Sequence, residues 1–72
     1  MNGIIKVYKQ DKGYGFISYE TGGEYKEIFF HISNVVDQRD DLKRGDRVSF
    51  EIGAGRKGPE AIRVQYLEVV NG

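Results

Sequence analysis

Lys12-Gly13-Tyr14-Gly15-Phe16-Ile17-Ser18-Tyr19 and, further on, Ile28-Phe29-Phe30-His31 decide the reading of this chain. Side chains of a strand alternate between its two faces, so Tyr14 and Phe16 point one way while Gly15 and Ile17 point the other. Phe29 and His31 keep the same period in the second stretch. If the two stretches pair, Tyr14, Phe16, Phe29 and His31 share one surface, and Ile17, Ile28 and Phe30 turn away from it. Flat side chains presented to water in this way are suited to stacking unpaired bases.

Working outward from these stretches, the chain divides into short strands separated by turn chemistry. Ile4 to Tyr8 is β-branched and aromatic, and the polar turn Gln10-Asp11-Lys12-Gly13 closes it. Tyr14 to Tyr19 is the second strand, and Gly22-Gly23 offers a hairpin from which Glu27 to Ile32 returns as the third. Ser33 to Val36 suits a single helical turn with Ser33 as its cap. Asp37 to Asp41 is a polar loop. Arg47 to Ile52 alternates strictly and marks a half-buried fourth strand. Gly53 to Pro59 is the last loop, and Ala61 to Leu67 the fifth strand. The face opposite the aromatic surface supplies a core: Ile5, Ile17, Ile28, Phe30, Val48, Phe50, Ile52, Ile62 and Val64. No long helix, repeat or linker is visible, so residues 1–72 are expected to form one all-β domain, a small five-stranded barrel.

Composition narrows the function. A chain of 72 residues without cysteine has no disulfide framework and no thiolate metal site to support a small core. Closing the sheet answers this by removing its edges. The lack of cysteine is compatible with a reducing cytoplasm. No signal peptide and no membrane-spanning run are visible. The 11 basic and 11 acidic side chains cancel, so bulk electrostatics contributes little to any nucleic-acid binding and the aromatic face must supply much of it. Catalytic, metal and cofactor roles are not expected. His31 is the only histidine, Asp37, Asp40 and Asp41 lack a nucleophile or apolar pocket, and no cysteine or second histidine could share a metal. Gly53-Ala54-Gly55-Arg56-Lys57-Gly58 spells G-x-G-x-x-G, but Pro59 and a strand follow where dinucleotide binding needs a helix. Arg44-Gly45-Asp46 is a turn into the fourth strand.

Lys12 to Tyr19 fits the aromatic RNA-binding signature K/R-G-F/Y-G/A-F-V-x-F/Y at every position except Ile17. Two sheet folds share that signature. The RNA-recognition motif places it well into the chain and backs its sheet with helices. The oligonucleotide-binding barrel binds over strands 2 and 3, which is where both stretches fall here. Together with Gly3-Ile4-Ile5-Lys6, Gly45 to Glu51 and Gly58 to Val64, the two stretches resemble the cold-shock domain family over nearly the whole chain.

That resemblance implies a five-stranded antiparallel Greek-key barrel that binds single-stranded RNA or DNA, with pyrimidine-rich strands favoured and often a chaperone-like role in melting RNA. It assigns base stacking to Tyr8, Tyr14, Phe16, Phe29 and His31, with Lys6 and Lys12 as basic neighbours. A monomer in the cytoplasm, with no small-molecule cofactor, fits the same reading. Lys9, Arg56 and Lys57 are further candidates for phosphates. Val7 stands where many members carry tryptophan, Ile32 replaces a second aromatic after the histidine, and the acidic 37–41 loop has no ring. At roughly 1–3 kcal/mol per stacked base, these departures weaken the expected affinity. Tyr25 and Lys26 in the long hairpin would add contacts if it folded over the site. Tyr8 neighbours Val7, so only a bulge or twist brings both to one face. The alternative reading is a protein-interaction module that keeps the aromatic residues as an apolar patch.

Overall fold

The computed structural model describes residues 1–37, 39 and 41–67. Strands β1 (Asn2–Lys9), β2 (Tyr14–Thr21), β3 (Glu24–His31), β4 (Arg47–Ala54) and β5 (Pro59–Tyr66) close into a barrel in the order β1-β2-β3-β5-β4. The β1–β2, β2–β3, β1–β4 and β4–β5 ladders are antiparallel. The seam between β3 and β5 is parallel and short, pairing Phe29 with Glu60 and Phe30 with Ala61. Pro59, which cannot donate to a ladder, sits at the first residue of its strand.

Two irregularities set which side chains face inward. In β1 the register shifts between Ile5 and Val7: Ile5 opposes Ile17, whereas Val7 opposes Phe16 and Tyr8 opposes Gly15. Lys6 is the extra residue of this bulge. In β5 the register shifts opposite Ser49 and Glu51, and Arg63 adopts φ 51°. Such a left-handed conformation costs a side-chain-bearing residue about 1–2 kcal/mol. Arg63→Gly is therefore expected to raise stability in chemical denaturation by up to about 1 kcal/mol, while Gln65→Gly in the same strand lowers it by about 0.5–1 kcal/mol. The exposed Arg63–Glu51 pair at 3.6 Å is worth little against this. Equal losses at both positions would contradict the strain.

The core holds Ile5, Ile17, Ile28, Phe30, Val48, Phe50 and Val64, as the alternation predicts, joined by Val35, Leu42 and Ala61. Two expected core residues are displaced. Ile52 is 45% exposed. It pairs with buried Ala61, but β1 pairs with β4 only as far as Ser49, so among the described residues nothing roofs that end of the inward row. Ile62 is half-buried because the β5 bulge separates the inward positions Ala61 and Val64 by three residues; its side chain lies over Gly53 instead. Val35 enters the core by bridging to Val64, with Val36 N–H donating to Val64 O at 2.8 Å.

A 3₁₀ turn covers Ile32–Asn34. Its cap is His31 and not Ser33: the His31 ring accepts from Ser33 N–H. Of the expected polar loop, Gln38 and Asp40 lie outside the described residues. Within it the Arg39 guanidinium sits 3.9 Å from the centroid of the Tyr66 ring and donates to Asp41 at 2.8 Å. That hydrogen bond holds the Asp41 carboxyl below the usual carboxylate range.

Candidate nucleic-acid interface

The β2–β3 ladder puts Tyr14 opposite His31 and Phe16 opposite Phe29 on the outer face. Tyr14 and Phe29 have ring centroids 5.6 Å apart at 33°, and Phe16 meets Phe29 at 5.9 Å and 73°. Phe16 meets Tyr14 at 6.4 Å and 86°. These are the offset and edge-to-face separations that aromatic pairs prefer. The surface is thus stepped: Tyr14 and Phe29 present nearly parallel faces, and Phe16 stands on edge beside them. All three rings are half-buried and His31 is exposed. Lys9 Nζ lies 5.9 Å from the Tyr14 centroid.

His31 is held by its own chain. Ser33 N–H donates to Nδ1 at 3.1 Å, and Ser33 Oγ lies 2.8 Å from the same atom. A neutral imidazole that accepts at Nδ1 carries its proton at Nε2. The ring therefore offers a donor edge in addition to a stacking face.

Closure of the barrel walls this surface. A groove of ≈ 870 Å³ is lined by Tyr14, Phe16, Phe29 and His31 on one side and by the β4–β5 loop and the first residues of β5 on the other, with Ser33 and Asn34 completing it. The loop between β4 and β5 contributes the cations Arg56 and Lys57, and the start of β5 the anion Glu60. Residue patterning alone missed Ser33, Asn34, Pro59 and Glu60. Pro59 and Glu60 reach the groove through the pairing of Phe29 with Glu60 across the β3–β5 seam, which no local pattern signals, whereas Ser33 and Asn34 enter it through the turn that directly follows His31.

The other predicted site residues fall elsewhere. Tyr8 is on the inner side of β1, stacked on Phe30 at 5.9 Å and 21°, and packs against the core. The bulge that would bring Val7 and Tyr8 together exists, and both border a second depression on the β1 side of the barrel, but only Val7 continues the row of outer rings. Val7 lies in the outer row beside Phe16, and Tyr8 in the inner row beside Gly15. Tyr8 thus backs the aromatic face and does not line it. Lys6 forms an ion pair with Glu27 outside the groove. Lys12 is exposed in the β1–β2 turn, with its backbone N–H donating to Lys9 O at 3.0 Å. Tyr25 is 78% exposed and pairs with Glu20 far along the hairpin; neither it nor Lys26 lines the groove.

A closed barrel that carries water-facing rings on β2 and β3, walled by a basic loop, belongs by class to the oligonucleotide-binding barrels. The model of the "Cold-shock" DNA-binding domain family matches residues 1–67, and the chain belongs to that family. Its function is nucleic-acid binding of the cold-shock type. It is similar to the cold shock-like protein CspA of Vibrio cholerae, at 40% identity over 68 residues, 93% of this chain and 94% of that one. The cold shock-like protein of Thermotoga maritima is 41% identical over 69 residues, 94% of this chain and 100% of that one. Among solved structures, drosophila Unr CSD456 matches with TM-score 0.72 at 25% identity, covering 99% of this chain and 28% of that chain. Among the described residues, no helix is long and apolar enough to cross a membrane.

Proposed function

We propose that the chain binds single-stranded RNA or DNA by stacking unpaired bases on Tyr14, Phe29 and His31, with the edge of Phe16 separating adjacent bases. The observation that carries this reading is the outer row itself. The inner face is already filled by Phe30, Phe50 and the aliphatic core, yet three aromatic rings and an imidazole remain gathered in one open groove. Water-facing aromatics gain free energy when a base covers them, and every base has a face to offer. Arg56 and Lys57 line the same groove and Lys9 lies against the Tyr14 ring, so these three cations would meet the phosphates of stacked nucleotides. His31 Nε2–H adds a hydrogen bond to a base edge.

Sequence preference on such a surface is modest, with pyrimidine-rich strands favoured by their weaker self-stacking. Unpaired strands are captured from opened duplex, so binding destabilises RNA hairpins by mass action, which is the chaperone-like role. The protein acts as a monomer in the cytoplasm in this reading.

The test is titration with oligothymidylate and oligouridylate at two salt concentrations, read by tyrosine fluorescence. Saturable quenching is expected. With about three phosphate contacts the log–log salt slope is near −2. Silence at high micromolar oligonucleotide would defeat the reading and favour a protein partner for the apolar groove.

A further inference from the structure

A second, smaller depression lies beyond the outer row, on the β1 side of the barrel. It encloses ≈ 400 Å³ over a floor of Val7, Tyr8 and Leu42. Its rim carries Lys6, Lys43 and Arg44, with Glu27 as its one anion. Val7 links the two in register: it opposes Phe16, which opposes Phe29, so the outer row that begins at Glu60 ends on a residue that also lines this depression.

The turn that carries part of this rim is tied to the barrel. Gly45 N–H donates to Ile5 O and Ile5 N–H to Asp46 O, each at 2.8 Å, which ties the 43–46 turn to β1. The Asp46 carboxylate accepts Lys43 N–H at 2.9 Å, and buried Leu42 anchors the turn from below. Lys6 is already engaged with Glu27. Among the described residues, neither Lys43 nor Arg44 forms a contact ion pair, although the Lys43 charge acts at longer range on the Asp41 carboxylate. The anchored turn therefore carries two adjacent exposed cations beside one end of the outer row, as Arg56 and Lys57 stand at the other.

We propose that this groove receives the backbone of the nucleotides that continue beyond those stacked on Tyr14, Phe16 and Phe29, with Lys43 and Arg44 holding their phosphates. The proposal rests on the nucleic-acid reading of the aromatic groove. Charge complementarity favours a phosphodiester strand, and continuity through Val7 makes it the same strand. Val7 is too small to stack a base, so this end of the track gains its affinity from charge. The site is then longer than the rings alone require.

The experiment compares a short oligothymidylate of about four nucleotides with one of about eight, on the wild type and on the K43Q/R44Q double variant. Both side chains are exposed and the turn is held by backbone, so the melting temperature stays unchanged; if it falls, Arg44→Gln alone carries the comparison. The short strand is expected to bind both proteins equally. The long strand is expected to lose about tenfold in affinity on the variant, and its salt slope to fall by about 1.4, the value for two single-strand phosphates. A variant that keeps the full preference for the long strand would overturn the proposal, as would equal losses for both lengths. Failure of the wild type to bind either strand would instead overturn the stacking reading, and this subsite with it.

Discussion

Phe29→Ala and Phe30→Ala, at adjacent positions, are expected to fail in opposite ways: the first folds and binds poorly, the second does not fold. Phe29 lies within 5.9 Å of both Tyr14 and Phe16, so it is the ring that the other two lean on. Its removal takes away one stacking face and leaves its neighbours less ordered. Loss of about 1–3 kcal/mol of base stacking corresponds to about 5- to 150-fold in oligothymidylate affinity. Because Phe29 is only half-buried, the stability change is small. Phe30 is fully buried at 0% exposure and supports Tyr8. Truncating a buried phenylalanine costs about 3–5 kcal/mol, as much as a domain of this size has to lose. Circular dichroism melting and the titration together read both outcomes. If Phe29→Ala loses binding only in proportion to stability, the outer rings are core and the stacking reading is wrong.

Gly15→Ala is expected to unfold most of the protein, although it adds a single methyl group. A Cβ at Gly15 would lie 2.2 Å from Val7 O, 2.9 Å from Phe30 and 3.0 Å from the Tyr8 Cα. The closest of these atoms is backbone and cannot swing aside. Overpacking a tight core costs about 1–3 kcal/mol, and a clash with a ladder carbonyl stands at or above the upper end. Gly15 is the position at which β1 comes close enough for Tyr8 to stack on Phe30, so the same substitution tilts the base beneath the outer rings. A melting temperature within a few degrees of wild type would show that β1 can move away, and that the close approach is not required.

The fold was legible because its determinants are local. Ile17, Ile28 and Phe30 alternate with Phe16 and Phe29 in β2 and β3, and that period sorts core from surface without knowledge of any partner strand. The sequence was less informative where one extra residue changes the phase. Tyr8 has the composition of a stacking residue, but the bulge at Lys6 turns it inward. Ile62 and Val64 read as one face, and the left-handed Arg63 separates them. Ile52 keeps its period but lacks a roof. Leu42 stands alone among charged residues and gives no periodic signal, yet it seals the barrel beside the 43–46 turn.

By itself, the sequence determined that Tyr14, Phe16, Phe29 and His31 share one surface, because a period of two needs only a strand to act on. It also determined the family, through motifs spread along the chain. Tertiary structure alone decided what that surface faces. Strand closure carries Arg56, Lys57 and Glu60 to its far wall, and the bulge in β1 gives its near end to Val7 while sending Tyr8 beneath it. The physical reason is that a groove is made of residues whose separation in sequence is set by barrel topology, and no local pattern encodes which loop returns to meet which strand.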